Sequence, residues 1–236
     1  MDKKTVTQAV QKALSSSKGE RKFKQTVELA INLVNVDLTI PKNRIDEEIV
    51  LPKGRGKRPK VALFASGELA VKAKNVADVV IQPDEIDKLA GDKRRARKLA
   101  TGTDFFLAEA PLMPTIGRTL GQVLGPRGKM PRPMPPQADP AAFVTPMRNA
   151  VRVRSRDKPT FHCPIGTEDM SAEDLGENAW AILERVLNKL ERGKFNLGSV
   201  YVKTTMGPAV RILTEESDAK KARTAAAAAA APTGGA

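Results

Sequence analysis

The chain is poor in the residues that most protein chemistry needs. It has one cysteine, Cys163, and one histidine, His162. A structural zinc site takes about four Cys or His ligands, so these two exclude one. A lone cysteine also excludes an internal disulfide framework and fits a reducing compartment. Because His162 and Cys163 are neighbours, they suggest a nucleophile beside its base. In a strand, however, adjacent side chains leave opposite faces and cannot form a dyad. A Ser-His-Asp triad on His162 stays open, although no nucleophile-elbow pattern accompanies it. Seven Phe, one Tyr and one Trp argue against a base-stacking platform of the single-strand-binding kind. No apolar run approaches the roughly 18 residues of a membrane span. The polar start Met1-Asp2-Lys3-Lys4-Thr5 leads into no apolar signal core.

Positive charge, by contrast, is abundant. Of 236 residues, 40 are Lys or Arg and 27 are Asp or Glu, a formal net charge of +13. A polyanion is the default partner of so basic a chain, and in the cytosol that is usually nucleic acid. Charge alone equally allows a basic protein without a specific partner.

Residues 3–17 place Val6, Val10, Ala13 and Leu14 at helical spacing, and Ser15 to Gly19 end that helix. Residues 22–33 alternate instead. Phe23, Gln25, Val27, Leu29, Ile31 and Leu33 share one face; Lys22, Lys24, Thr26, Glu28, Ala30 and Asn32 share the other. This predicts a half-buried antiparallel strand. The basic Gly/Pro run over 53–60 marks a domain boundary. Short apolar runs at 61–65, 79–81 and 105–107 then alternate with helical stretches at 68–74, 84–99 and 112–124. That order predicts βαβ units and a parallel sheet covered on both faces. Seven prolines between 125 and 146 predict a stiff loop, with a helix over 139–150.

A second basic junction, 151–159, ends this block, and the alternating texture returns. It predicts a strand over 160–165 and strands over 198–205 and 209–213. Between them lies a helix over 172–192, with Ser171 as N-cap and Gly193 as C′ residue. The fold class expected is mixed α/β and α+β in two domains. A discontinuous α+β domain with an antiparallel sheet covers 1–59 and 155–213, and an inserted α/β domain covers 60–154. Residues 214–236, with Ala225 to Ala231 all alanine, are expected to form a disordered tail.

The most informative segment is Gly198 to Leu213. Val200, Val202 and Thr204 share one strand face; Ser199, Tyr201, Lys203 and Thr205 share the other. The second face offers hydroxyls, one ring and one ammonium but no carboxylate, which suits phosphate and ribose. Met206-Gly207-Pro208 breaks the strand. Gly207 permits a close backbone approach, and an exposed Met206 would lie flat on a sugar or base. A plain hairpin corner with Met206 folded inward is the alternative. On the 22–33 strand, Lys22, Lys24 and Thr26 suit an anion, and Glu28 suits base amino groups or ribose hydroxyls. A solvated strand face is the alternative there. Gly125-Pro126-Arg127-Gly128-Lys129 looks loosely like a phosphate loop. A Walker motif fails, since Val123 stands at a glycine position and Met130 replaces the Ser/Thr. Gly117, Gly121 and Gly125 would let the preceding helix pack closely. Lys93 to Lys98 reads either as a second electrostatic RNA contact or as a solvated helix face.

Four stretches carry a resemblance: Lys22 to Leu29 (KFKQTVEL), Leu120 to Pro131 (LGQVLGPRGKMP), His162 to Gly166 (HCPIG) and Ser199 to Pro208 (SVYVKTTMGP). They resemble the ribosomal protein L-one family, the mobile side-stalk proteins of the large ribosomal subunit, in its archaeal branch. The resemblance covers about residues 1–213 in order. It implies that the inserted domain is Rossmann-like, and that the protein is a cytoplasmic ribosomal component with no catalytic residue, cofactor or metal. It also implies binding to large-subunit rRNA at the stalk, among other large-subunit components. Repression of translation through its own mRNA and help in releasing deacylated tRNA from the exit site are implied as well. Carried over by motif, the RNA contacts would be Lys22, Phe23, Thr26 and Glu28. His162 and Gly166 would border the site, and Ser199, Tyr201, Thr205, Met206 and Gly207 would complete it. Lys203 joins them because it shares a face with Thr205. Strict alternation puts Phe23 on the apolar face, as support more than contact. The competing classes are an enzyme with a nucleotide site in the middle domain and a nonspecific basic RNA chaperone.

Two chain crossings, at 53–60 and 151–159, predict a hinge between the domains. Solution scattering of the free protein is expected to require more than one interdomain arrangement. A fit by a single rigid shape would refute the hinge.

Overall fold

The computed structural model describes residues 2–17 and 21–212. The expected tail over 214–236 and the stop signal at Lys18-Gly19 lie outside the described residues. The first stretch forms α1 (Lys3–Ser15), β1 (Thr26–Leu33) and β2 (Asp46–Val50). The middle forms β3 (Val61–Phe64), α2 (Gly67–Ala73), β4 (Val79–Ile81), α3 (Pro83–Gly91) and α4 (Lys93–Gly102). It continues through β5 (Phe105–Glu109), α5 (Met113–Thr119), α6 (Gly121–Leu124), β6 (Arg132–Met134) and α7 (Pro140–Arg148). The last stretch forms β7 (Ala150–Arg154), β8 (Thr160–Thr167), α8 (Ala172–Lys189), β9 (Leu197–Thr204) and β10 (Val210–Ile212). Contacts divide the chain into two units, Met1–Gly56 with Val151–Ala236, and Lys57–Ala150.

The terminal unit is built on an antiparallel sheet in the order β10-β9-β1-β8. Burial in β1 alternates residue by residue, as its sequence pattern requires. Val27, Leu29 and Ile31 turn inward with Val200, Val202, Cys163 and Ile165. Two amphipathic helices cover that face: α1 through Val6, Val10 and Ala13, and α8 through Leu175, Ile182 and Leu183. A separate pair, β2-β7, adds Ile49, Val151 and Val153 to the same core. Its Arg152 donates to both oxygens of Asp46, at 2.8 and 2.9 Å. The basic run after residue 150 therefore conceals a strand. Val151 and Val153 are buried and Arg152 and Arg154 are half-buried, and the division falls before Val151.

Residues 53–56 are fastened to this unit. The Asn178 side chain is fully buried; its Oδ1 accepts from Lys53 N at 3.1 Å. Its Nδ2 donates to the carbonyls of Gly54 and Ile165, at 2.8 and 2.9 Å. Gly56 has φ +74°, and a Cβ there would stand 2.4 Å from Thr167 Oγ1. Only glycine satisfies both conditions.

The inserted unit holds a parallel sheet in the order β4-β3-β5-β6. Both faces are covered, which is why β3 is apolar throughout and β5 is apolar from Phe105 to Ala108. Val61, Leu63, Phe105 and Leu107 enter one core with α2 and α7; Ala62, Phe64, Phe106 and Ala108 enter the other with α3 to α6. The Phe64 and Phe106 rings stack at 6.0 Å.

Several local expectations are corrected. The helix expected over 84–99 breaks at Asp92, whose carboxylate caps α4 by accepting from Arg94 N and Arg95 N. The proline-rich stretch contains β6, an edge strand, where Pro133 costs no ladder bond that a central strand would need. Gly193 does not terminate α8, which ends at Lys189; with φ +51° it opens the following turn. Gly117 and Gly121 have open space at the Cβ position, so only Gly125, 2.8 Å from Gly121 O, needs to be glycine for packing. Among the described residues no helix is long and apolar enough to cross a membrane.

Asn178→Ala would leave three backbone groups without their side-chain partner. It is expected to lower the unfolding free energy by about 2–4 kcal/mol, read from urea melts. An unchanged midpoint would show that Asn178 does not hold the 53–56 segment.

Candidate nucleic-acid interface

α1 and α8 pack on the inner face of the four-stranded sheet, so His162 and the candidate site residues of β1 and β9 gather on the opposite face. Strand register sets their neighbours. Tyr201 lies across from Ala30, and Ala30 across from His162. The small Ala30 side chain thus separates two rings. Lys203 faces Glu28, and Ser199 faces Asn32. Thr160 Oγ1 donates to Asn32 Oδ1 at 2.9 Å and closes that row. Ser199, Tyr201, Lys203, Thr26 and Glu28 are half-buried, and His162 is exposed.

Because β1 and β9 are antiparallel, the start of one meets the end of the other. Val27 pairs with Thr204. One step further, Thr205 Oγ1 accepts from Thr26 N and donates to Thr26 O, both at 3.1 Å. Thr205 therefore extends the ladder with its side chain. The next amide, Met206 N, donates to Gln25 Oε1 at 3.1 Å. Gln25 is buried and held in turn by Glu168. Gln25 N donates to Glu168 Oε1 at 2.9 Å, and Gln25 Nε2 to Glu168 Oε2 at 3.3 Å. Glu168 N returns a bond to Gln25 O at 3.1 Å. Gly207 completes the turn by donating to Thr204 O at 3.2 Å. A Cβ at Gly207 would stand 2.2 Å from Thr204 Oγ1, so the close approach read from the sequence is real.

This fastened backbone presents Met206 outward, 58% exposed, not folded inward. Phe23 is also outside, 50% exposed. Alternation does not govern it, because β1 begins only at Thr26 and residues 22–24 lead in as an exposed bend. Two large apolar side chains thus stand at the same end of the sheet, beside Lys22 and Lys24. Lys24 forms an exposed ion pair with Asp169 at 2.9 Å, and that bond and charge raise its pKa. Gly166 lies apart from these contacts. It is buried, and a Cβ there would meet Leu175 Cδ2 at 2.4 Å and Met170 Sδ at 2.7 Å. Its lack of a side chain serves packing beneath the sheet.

Gln25 and Glu168 were not among the expected site residues. The signal was a polar residue at one position of an otherwise apolar strand face; its partner, 143 residues away, left none. His162 and Cys163 do leave opposite faces of β8. Cys163 is buried, and burial pushes its thiol up to about 12, with Glu28 adding to the shift. The phosphate-loop lysine is likewise engaged elsewhere: Lys129 Nζ donates to Ala100 O and Thr103 O, at 2.9 and 2.6 Å.

Gln25→Ala should free the Met206 amide while the sheet persists. Its hydrogen exchange is expected to rise about tenfold relative to the Val202 amide. Equal protection in both proteins would remove Gln25 from the turn.

Residues 6–208 match the model of the Ribosomal protein L1p/L10e family. The large ribosomal subunit protein uL1 of Archaeoglobus fulgidus is 56% identical over 214 residues, covering 90% of this chain and 99% of that protein. The uL1 proteins of Methanocella arvoryzae and Thermoplasma volcanium are 54% and 51% identical, covering 90% and 92% of this chain and 100% of each relative. All three relatives are named as proteins of the large ribosomal subunit. With its discontinuous antiparallel unit and its inserted parallel one, the chain belongs to the ribosomal protein L1p/L10e family.

Proposed function

We propose that the protein is a structural component of the large ribosomal subunit in the cytoplasm, and that it binds large-subunit rRNA through the outer face of its four-stranded sheet. The Met206 turn is the observation that carries this reading. An exposed methionine on a backbone fastened by Gln25, Thr26 and Thr204 gains nothing for the fold. It is suited to the apolar face of a sugar or base. Thr26, Ser199 and Tyr201 supply hydroxyls along the same face for phosphate and 2′-OH groups, and Lys22 and Lys203 supply charge. Glu28 suits ribose hydroxyls or base amino groups and disfavours a bare phosphate run. The net charge of +13 supplies attraction whose strength falls with salt. Repression through its own mRNA follows if that message offers the same RNA shape. Contact with exit-site tRNA would place the inserted unit, or this same face, against a second RNA. Both rest on the family resemblance.

The test is a salt series with two RNAs, a folded large-subunit stalk fragment and an unrelated duplex. The stalk fragment is expected to bind more tightly, and the preference should vary less with salt than either affinity. Equal affinities would favour the nonspecific chaperone. Met206→Asp is expected to weaken stalk binding at least about tenfold, because an unpaired carboxylate would be desolvated there. A folded variant with the wild-type preference would take the turn out of the site.

A further inference from the structure

The sequence left Lys93 to Lys98 open between a solvated helix face and a contact, and the fold bears on that choice. α4 carries Lys93, Arg94, Arg95, Arg97 and Lys98 within its 10 residues and no acidic residue. Its first three residues are cations, at the end where the helix dipole favours anions. Lys93 with Arg97, and Arg94 with Lys98, are like charges at i, i+4, which destabilises an isolated helix. The nearest acid in sequence, Asp92, is spent on capping Arg94 N and Arg95 N. Among the described residues, none of these five cations forms an ion pair. Two local rules are thus broken at one place without internal compensation, a pattern that marks functional sites.

The fold then adds cations from elsewhere. A groove of about 260 Å³ runs between α4 and the α5–α6 corner. Lys93 and Arg97 line it from α4, Arg118 from α5, and Arg127 from the segment after α6. Arg127 Nη1 donates to Val123 O at 3.1 Å, which steadies its guanidinium at the rim. Ala96 and Leu120, both buried, form the floor, and no acidic residue lines the groove. Arg95 and Lys98 lie on the other flank of α4, beside Lys60.

We propose that this groove is a second RNA site, on the inserted unit, that takes a phosphodiester backbone without reading sequence. Four cations from three chain segments suit several phosphates in a row better than one small anion. No carboxylate is present to hold a metal-bound nucleotide, and no aromatic ring lines the groove to stack a base. An anionic membrane is disfavoured because the groove offers no exposed large apolar side chain to insert.

The test replaces Lys93, Arg97, Arg118 and Arg127 together with Gln in the full chain. Gln is a good helix former, so α4 should persist, as circular dichroism would check. The probe is an unrelated RNA duplex titrated over a salt series. Losing four phosphate contacts is expected to reduce the slope of log K against log salt by about 3.6. The preference for the stalk fragment over the duplex should survive. A charge-keeping control, Arg97→Lys with Arg118→Lys and Arg127→Lys, should retain the wild-type slope. An unchanged slope in the folded Gln variant would overturn the site. So would saturable binding of ATP or inorganic phosphate that the Gln variant loses while its duplex slope stays unchanged. The duplex slope does not depend on Met206, so failure here and failure of the sheet interface are distinguishable.

Discussion

The pairing of β1 with β9 on one side and β8 on the other is the constraint on which the candidate interface depends. β1 comes from the first stretch of the chain, whereas β8 and β9 follow the inserted unit. Leu29 meets Val202 on one side and Cys163 on the other. Once that register is set, Thr26 reaches Thr205, Gln25 reaches Met206, and Tyr201 and His162 flank Ala30. A slip of one residue would turn Val27, Leu29 and Ile31 outward. Burial of that face therefore fixes both the core and the composition of the outer face.

In the proposed interface, attraction and recognition fall to different residues. The cations give a field that any polyanion feels and that salt screens. There the Met206 turn would give shape, and it is held by a polar chain through the buried Gln25, from Glu168 to Gln25 to Met206 N. A buried amide with every polar group engaged is rigid, whereas one left unpaired would cost stability. An exposed methionine is thus held from beneath by the buried Gln25 side chain.

The inserted unit shows the opposite economy. In its glycine-rich loop Lys129 is taken up by the fold, donating to the carbonyls of Ala100 and Thr103 at the end of α4. What distinguishes its surface is α4, where charges oppose both the dipole and one another.

Much of this was legible in the sequence because periodicity reports burial directly. The change from alternation to short apolar runs and back located the two sheet types. Alternation in Ser199 to Thr205 separated the inward valines from the outward hydroxyls. The pattern failed where composition masked it. β7 hid in a basic run because its arginines point outward, and β6 hid among prolines because an edge strand tolerates them. Phe23 was misjudged because alternation was extended past the strand's start. By itself the sequence determined which residues turn inward and the family motifs, since these depend on local pattern and composition. Only the tertiary structure decided that Gln25 and Glu168 fasten the Met206 turn, that Gly166 is a packing glycine, and that Arg118 and Arg127 join the α4 cations. Each of those depends on how separate elements pack, and no local period encodes it.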